Sequence, residues 1–424
     1  MPHFFSEAYA KALDEQDPLA SFRSSFIIPK VKGEESLYFT GNSLGLQAKK
    51  VQQILNEELA NWADNGVEGH VGGIRPWVKY HEFFTETMSA IVGGKTSEVV
   101  MMNGLTTNLH LLMVSFYRPS GKRTKILCEG KAFPSDQYAL RSQLRFHGLD
   151  ENHLIEVQPG ADELLNEDEI LNTISEKGDE IALLMMGGVN YYTGQKLNMA
   201  KITAAAKEKG ITVGWDLAHG AGNVELQLHD WGVDFAAWCG YKYLNAGPGG
   251  ISGIFIHERH HGQKDLPRFE GWWGHNKGDR FEMPETFNPI PTAEAWQLSN
   301  APVLSMAPLL ASLELFKEAG FSNLHQKAVK LTAYLEELLL DVKVETNNGL
   351  KLLTPSDPQK RGCQLSIVVP GIGKKVFEDI TEAGVIADWR EPDVIRVAPV
   401  PLYNTFTDAY HLATLIKEAI IKHK

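Results

Sequence analysis

The stretch WCGYKYLNAGPGG, residues 238–250, sets a lysine between two tyrosines, after the apolar run DFAAW and before a glycine-rich turn. Lysine ordinarily keeps its ammonium in water. Lys242, delivered at the end of a run that reads as a buried strand, is instead placed for chemistry. An amine that condenses with an aldehyde sheds its charge and is masked as an imine. Three further stretches fit beside it. Asp216 ends the strand ITVGWD, with His219 close behind in DLAH, and a buried aspartate needs a cationic partner. NGLTTN, residues 103–108, opens a helix whose free N–H groups, with the hydroxyls of Thr106 and Thr107, suit one phosphate. KAFPSD, residues 131–136, places Phe133 just past a strand, where its ring can stack on a flat ligand, and Pro134 opens the next helix. Singly, each has a plain structural reading as a threonine or aspartate N-cap or a packed phenylalanine. As a set they supply what pyridoxal phosphate requires: a Schiff-base lysine, an acid for the pyridinium nitrogen, a phosphate site and a stacking ring.

The elements around these residues support that placement. EVVMM, TKILCEG, HLIEVQP, IALLMM, ITVGWD, DFAAWC and GIFIH read as short strands. GLTTNLHLLMVSFY, PSDQYALRSQLRFHG, residues 166–176 and NMAKITAAAKEKG read as the helices between them. Strand–helix alternation predicts an α/β fold with a mostly parallel sheet covered on both faces. In such sheets ligands gather at the carboxyl ends of the strands, which is where Asp216, Lys242, Thr106 and Phe133 fall. QAKKVQQILNEELANWADNG and the stretch from Trp77 to Val92 read as amphipathic helices. After residue 300 the pattern shifts to two helices over 303–341, strands near KLLTP, QLSIVVP and VIRVAPV, and helices at 374–383 and the C-terminus. The expected division is an N-terminal arm, 1–45, a large cofactor-binding domain, 46–300, and a small C-terminal α+β domain, 301–424.

Bulk properties narrow the partners. The 424 residues carry a net charge of −12, which argues against a nucleic-acid surface. Cys128, Cys239 and Cys363 are far apart, so neither a zinc site nor a disulfide framework is expected, and no metal is expected at all. The N-terminus does not read as a secretion signal, and no apolar run approaches a membrane span. A cytoplasmic protein without membrane partners is the expectation. A nicotinamide dehydrogenase needs a glycine fingerprint between a first strand and a helix, whereas GPGGISG follows the lysine and precedes a strand. A binding module of the same fold would have little use for a buried lysine.

Longer blocks carry a resemblance. YFTGNSLGLQ, GIRPW, NGLTTNLHLLMVSF, KAFPSDQYA, YYTGQ, DLAHGAGNVELQLHDWGVDFAAWCGYKYLNAGPGG, GWWGH, LSNAP and IRVAPVPLYN together resemble the kynureninase family over nearly the whole chain. The resemblance implies the aspartate aminotransferase-like fold of pyridoxal-phosphate enzymes, a large domain with a seven-stranded type of sheet, and a homodimer with shared active sites. It implies hydrolysis of L-kynurenine to anthranilate and L-alanine, with 3-hydroxykynurenine as the alternative substrate. By the same resemblance Lys242 is the Schiff-base lysine and Asp216 the pyridinium partner. Leu105 and Thr106 meet the phosphate, Phe133 stacks on the ring, and Pro134, Ser135 and Asp136 lie nearby. His219 and Tyr241 touch the cofactor, with Tyr241 also a proton-transfer candidate. Trp272 and Asn300 complete the site from across a dimer interface. Arg396 holds the substrate carboxylate, and Ser43, His70, Trp273 and Asn300 line the substrate pocket. One position departs from the pattern: before YYTGQ the family often has a serine or threonine at the cofactor, and here Gly187 stands there.

Plain readings remain beside these. Trp272 and Trp273 fit an interface plug, Arg396 an outward-facing strand residue, His70 an exposed bystander, and Cys239 a small core residue. The functional alternative is another enzyme of this fold, a cysteine desulfurase or a small-substrate aminotransferase. A desulfurase needs a mobile catalytic cysteine, for which Cys363 in QKRGCQLS is the candidate.

Overall fold

The computed structural model describes residues 4–424. Its centre is a seven-stranded sheet. The strands are β1 (Val99–Met101), β2 (Lys125–Glu129), β3 (Leu154–Val157), β4 (Ile181–Gly187), β5 (Thr212–Asp216), β6 (Phe235–Trp238) and β7 (Gly253–Ile256). They lie in the order β1-β7-β6-β5-β4-β2-β3. β7 runs antiparallel to both neighbours, while β6, β5, β4, β2 and β3 are mutually parallel. All four residues of β6, Phe-Ala-Ala-Trp, are buried. Such continuous apolar runs mark strands covered on both faces.

Helices supply the cover. α1 (Glu7–Glu15), α2 (Lys50–Asn65) and α3 (Thr85–Val92) precede the sheet, and α4 (Leu105–Phe116), α5 (Pro134–Phe146), α6 (Glu167–Lys177) and α7 (Met199–Glu208) cross between its strands. The helix expected from Trp77 to Val92 is divided: Trp77–Phe84 forms a 3₁₀ segment before α3. Beyond the sheet lie α8 (Val303–Ala319) and α9 (Phe321–Glu345). A second sheet of β8 (Lys351–Leu352), β9 (Leu365–Val368), β10 (Asp388–Arg390) and β11 (Val394–Val397) is antiparallel in the order β8-β9-β11-β10. α10 (Gly373–Glu382) and α11 (Phe406–His423) pack on it. β10 was not foreseen, because its three residues are all half-buried and show no alternation.

The cores cut the chain differently from its composition. Met306, Leu309 and Leu313 of α8 belong to the cluster around Trp215 and Trp238. The small-domain cluster of Leu331, Leu335, Ile367, Ile395 and Leu412 begins inside α9 and takes in Ala10 and Phe39. α8 thus sides with the large domain, and the change of core falls within α9 rather than at residue 300. The arm closes on both bodies: Leu37–Tyr38 pairs in parallel with Val385–Ile386, and Phe26–Ile27 pairs with Gln47–Ala48.

Candidate active site

The carboxyl ends of the parallel strands converge on one cavity of about 290 Å³. Asp216, the last residue of β5, is directly opposite Gly187, the last of β4. The loop after β6 brings Lys242 to the same wall. That loop is tight: the Asn245 N–H donates to the Lys242 carbonyl at 3.0 Å, and the Ala246 N–H to the Gly240 carbonyl at 2.9 Å. From behind, the Gly45 N–H donates to the Tyr241 carbonyl at 2.8 Å. A Cβ at Gly45 would sit 2.4 Å from the Lys242 carbonyl oxygen, so only glycine lets the arm back the lysine this closely.

Leu105, Thr106, Phe133, Ser135, Asp136, Asp216, His219, Tyr241 and Lys242 all line the cavity. α4 and α5 start at its edge, and neither N-cap residue makes a side-chain cap bond. The first-turn N–H groups of α4, and that of Ser135 in α5, are therefore left for an anion, while the Asp136 N–H is taken by the Phe133 carbonyl at 2.9 Å. The Thr106 and Ser135 hydroxyls, one from each helix start, are 2.7 Å apart. Phe133 is 42% exposed at the mouth, its ring edge-on to Tyr191 at 5.3 Å.

Charge is concentrated in the wall. The Lys242 Nζ lies 3.1 Å from the His219 Nε2. Burial, then the neighbouring cations Lys242, Arg396 and Arg390, hold His219 well below the ordinary histidine range, so it is neutral and accepts from the ammonium. Its Nδ1 then carries the proton, and that atom is buried without a partner. Burial, followed by the charge of Asp216 and a hydrogen bond to it, pushes the Asp136 carboxyl well up. The protonated Asp136 thus donates to Asp216, whose Oδ1 also accepts the Ala218 N–H at 2.6 Å. Burial and the adjacent Cys239 thiol push the Tyr241 phenol up, so it keeps its proton across neutral pH.

These features fit pyridoxal phosphate. Two uncapped helix starts await an anion, an aromatic face stands open, an acid pair awaits a cation, and the His219 N–H lacks an acceptor. Pro134 is the first residue of α5 and shapes that helix start without lining the cavity. Cys239, read as a core residue, is buried but also lines the cavity.

The residues assigned to a substrate pocket fall elsewhere. Arg396 is buried beside the cavity on β11, not turned to solvent. Its Nη1 donates to the Tyr191 carbonyl at 2.5 Å and its Nη2 pairs with Asp388, while Nε is buried without a partner. Ser43 is half-buried in the arm turn, its N–H bonded to the Thr40 carbonyl. His70 is half-buried, its Nδ1 3.0 Å from the Val67 carbonyl and its ring edge-on to Trp77. Trp273 is buried under the Arg280 guanidinium, 4.4 Å from its ring. Trp272 is 47% exposed, and Asn300 is exposed. None of Ser43, His70, Trp272, Trp273, Asn300 or Arg396 is a wall of the cavity within one chain.

Two wall residues with titratable side chains were missed. Glu129, at the end of β2, is only 4% exposed, and burial followed by the charge of Asp216 pushes its carboxyl up to about 7. It also answers the departure at Gly187: a Cβ there would stand 2.8 Å from the Glu129 Oε1. Tyr191 is the second. The only signal for either was its position at or just past a strand end.

Comparison with known proteins agrees with this geometry. The kynureninase C-terminal domain family matches residues 324–416. A kynureninase of Christiangramia forsetii is 52% identical over 416 residues, covering 97% of this chain and 98% of that protein. One of Myxococcus xanthus is 52% identical over 421 residues, covering 98% of each. The chain belongs to the kynureninase family. Among solved structures, a cysteine desulfurase of Thermococcus onnurineus NA1 matches with a TM-score of 0.75 at 17% identity, covering 91% of this chain and 95% of that one. A NifS-like protein matches with a TM-score of 0.68 at 16% identity, over 92% and 100%. At that identity the likeness concerns the fold, that of pyridoxal-phosphate enzymes. In this kynureninase-family chain Cys363 does not meet the needs of a desulfurase nucleophile. It is 2% exposed, and burial pushes its thiol up to about 12, well away from thiolate character.

Proposed function

We propose that this chain uses pyridoxal phosphate to hydrolyse the Cβ–Cγ bond of L-kynurenine or 3-hydroxy-L-kynurenine, releasing anthranilate or 3-hydroxyanthranilate and L-alanine. The observation that carries the proposal is the pairing of Lys242 with neutral His219 opposite the Asp136–Asp216 pair, in one cavity of a kynureninase-family chain. When bound, the cofactor supplies an electron sink conjugated to the substrate's Cα and, after proton relocation, to Cβ.

The protein's part is binding and proton handling. Asp216 faces the pyridinium nitrogen, supported by Asp136. The α4 and α5 starts, with Leu105, Thr106 and Ser135, hold the phosphate, and Phe133 stacks on the ring. Lys242 Nζ takes the Cα proton. His219, neutral beside it, offers Nε2 as a hydrogen-bond acceptor that orients the amine. Tyr241 keeps its phenolic proton at neutral pH and donates toward the γ-carbonyl oxygen, where negative charge develops as water adds. Arg396 receives the substrate carboxylate on its free Nε–H.

Trp272, Trp273, Asn300, His70 and Ser43 join the site in a homodimer. The segments that carry His70 and Trp272 expose Val67, Val71, Ile74, Phe281 and Met283, and exposed apolar side chains mark association surfaces. Sedimentation of the active enzyme is expected to show a dimer; an active monomer would refute the shared site. Among the described residues no helix is long and apolar enough to cross a membrane. A cytoplasmic location completes the reading.

The direct test is anthranilate fluorescence after L-kynurenine is added to purified protein with pyridoxal phosphate, in parallel with 3-hydroxykynurenine and L-cysteine. Turnover of either kynurenine is expected. Sulfide release from cysteine with neither kynurenine consumed would replace this reading by a desulfurase.

A further inference from the structure

Glu129 has no part in the chemistry assigned above, yet it is a buried acid in the cavity wall. Its partners explain what it holds. Glu129 Oε2 accepts from Asn190 Nδ2 at 3.1 Å. The other side of the same amide is fully used: Asn190 Oδ1 accepts the Tyr192 N–H and the Thr193 N–H at 2.9 Å each, and the Thr193 hydroxyl at 3.1 Å. Asn190 therefore cannot turn without breaking the loop. That loop presents its next two carbonyls to the small domain. The Tyr191 carbonyl accepts from Arg396 Nη1 at 2.5 Å and from Gln364 Nε2 at 3.1 Å. The Tyr192 carbonyl accepts from the Ser366 hydroxyl at 2.6 Å. Gln364, Ser366 and Arg396 are all buried.

We infer that Glu129 is a positioning residue for substrate binding: through Asn190 it fixes the Tyr191 carbonyl, and through that carbonyl it aims the Arg396 guanidinium at the substrate carboxylate. The inference rests on the assignment of Arg396 under the proposed function. The empty side-chain position at Gly187 gives the Glu129 carboxyl its room. The titratable groups that face it are Asp216 at the end of β5, Asp136 in the first turn of α5, Tyr191 in the loop and Cys128 on its own strand. An ionised Glu129 is the better acceptor for the Asn190 amide, and its carboxyl titrates near about 7. The link therefore slackens as pH falls through neutrality.

Two substitutions isolate the link. Glu129→Gln keeps the shape and removes the charge. Asn190→Asp keeps the acceptor that organises the loop and turns the donor toward Glu129 into a carboxylate oxygen that repels it. In the holoenzyme, each is expected to raise KM for L-kynurenine about tenfold, the scale of one lost charge-assisted hydrogen bond, with kcat changed less than about threefold. Binding of L-alanine, read from the cofactor absorbance without turnover, is expected to weaken by the same factor. The double variant is expected to be no worse than either single one, because the glutamine amide at 129 can donate to the aspartate at 190 and restore the link with its direction reversed. The parent's KM is expected to rise below pH 7, and this inflection is expected to vanish in Glu129→Gln. Arg396→Gln serves as reference. If it binds alanine as the parent does, the carboxylate assignment falls and the inference with it. If it loses alanine while Glu129→Gln and Asn190→Asp do not, the inference alone falls. A loss of kcat at unchanged KM in Glu129→Gln would also overturn it, placing Glu129 on the chemistry instead.

Discussion

Lys242→Ala is expected to abolish release of anthranilate from L-kynurenine, with kcat falling by about 10⁴-fold or more, since one group would lose both its covalent and its proton-transfer roles. Fluorescence of the product reads the rate directly. The variant should still bind the cofactor, because the α4 and α5 starts, Phe133 and the Asp136–Asp216 pair remain. Its cofactor absorbance should therefore be that of a free aldehyde rather than of a lysine adduct. Folding is not at stake: the Lys242 side chain makes one polar contact, to His219 at 3.1 Å, and removing it relieves a repulsion that holds His219 neutral. Measurable turnover in Lys242→Ala at even a hundredth of the parent rate would remove the lysine from the proposed mechanism.

Asp216→Asn is expected to lower kcat by about 10²–10⁴-fold, the scale of removing one partner from a buried charge pair. The asparagine preserves the acceptor for the Ala218 N–H, so the loop after β5 should keep its shape. The structure adds a condition. Asp136 is held protonated by burial and by the charge of Asp216. Once that charge is gone, Asp136 is freer to ionise and face the pyridinium itself. The single variant should therefore retain more activity than the double variant Asp136→Asn/Asp216→Asn, measured by the same fluorescence. Equal losses in the two would show that Asp136 offers no such support.

The charged centre of the site was legible because its residues stand at strand ends in a regular strand–helix alternation. Asp216 ends an apolar run, Lys242, Thr106 and Phe133 each follow one within five residues, and sheet topology then brings those ends together. Glu129 ends a strand in the same way, yet nothing local distinguishes it from a solvated glutamate. What makes it a wall residue is Gly187, which leaves the space its carboxyl fills. These residues lie on β2 and β4, which are neighbours in the sheet but separated in sequence by β3 and two helices.

The domain cut shows the same limit. Composition changes near residue 300, but α8 faces α2 and the large core because its apolar residues surround it on several sides. No periodicity states which of two bodies such a helix joins. Arg396 is the sharper case. Alternation along β11 left its direction open, and burial against Tyr191 and Asp388 closed it. Local pattern decides which residues end an element and what chemistry their types permit. Which of them share a wall, which carboxyl holds its proton and which arginine is buried depend on long-range contacts and the loss of water around them, and these arise only on folding.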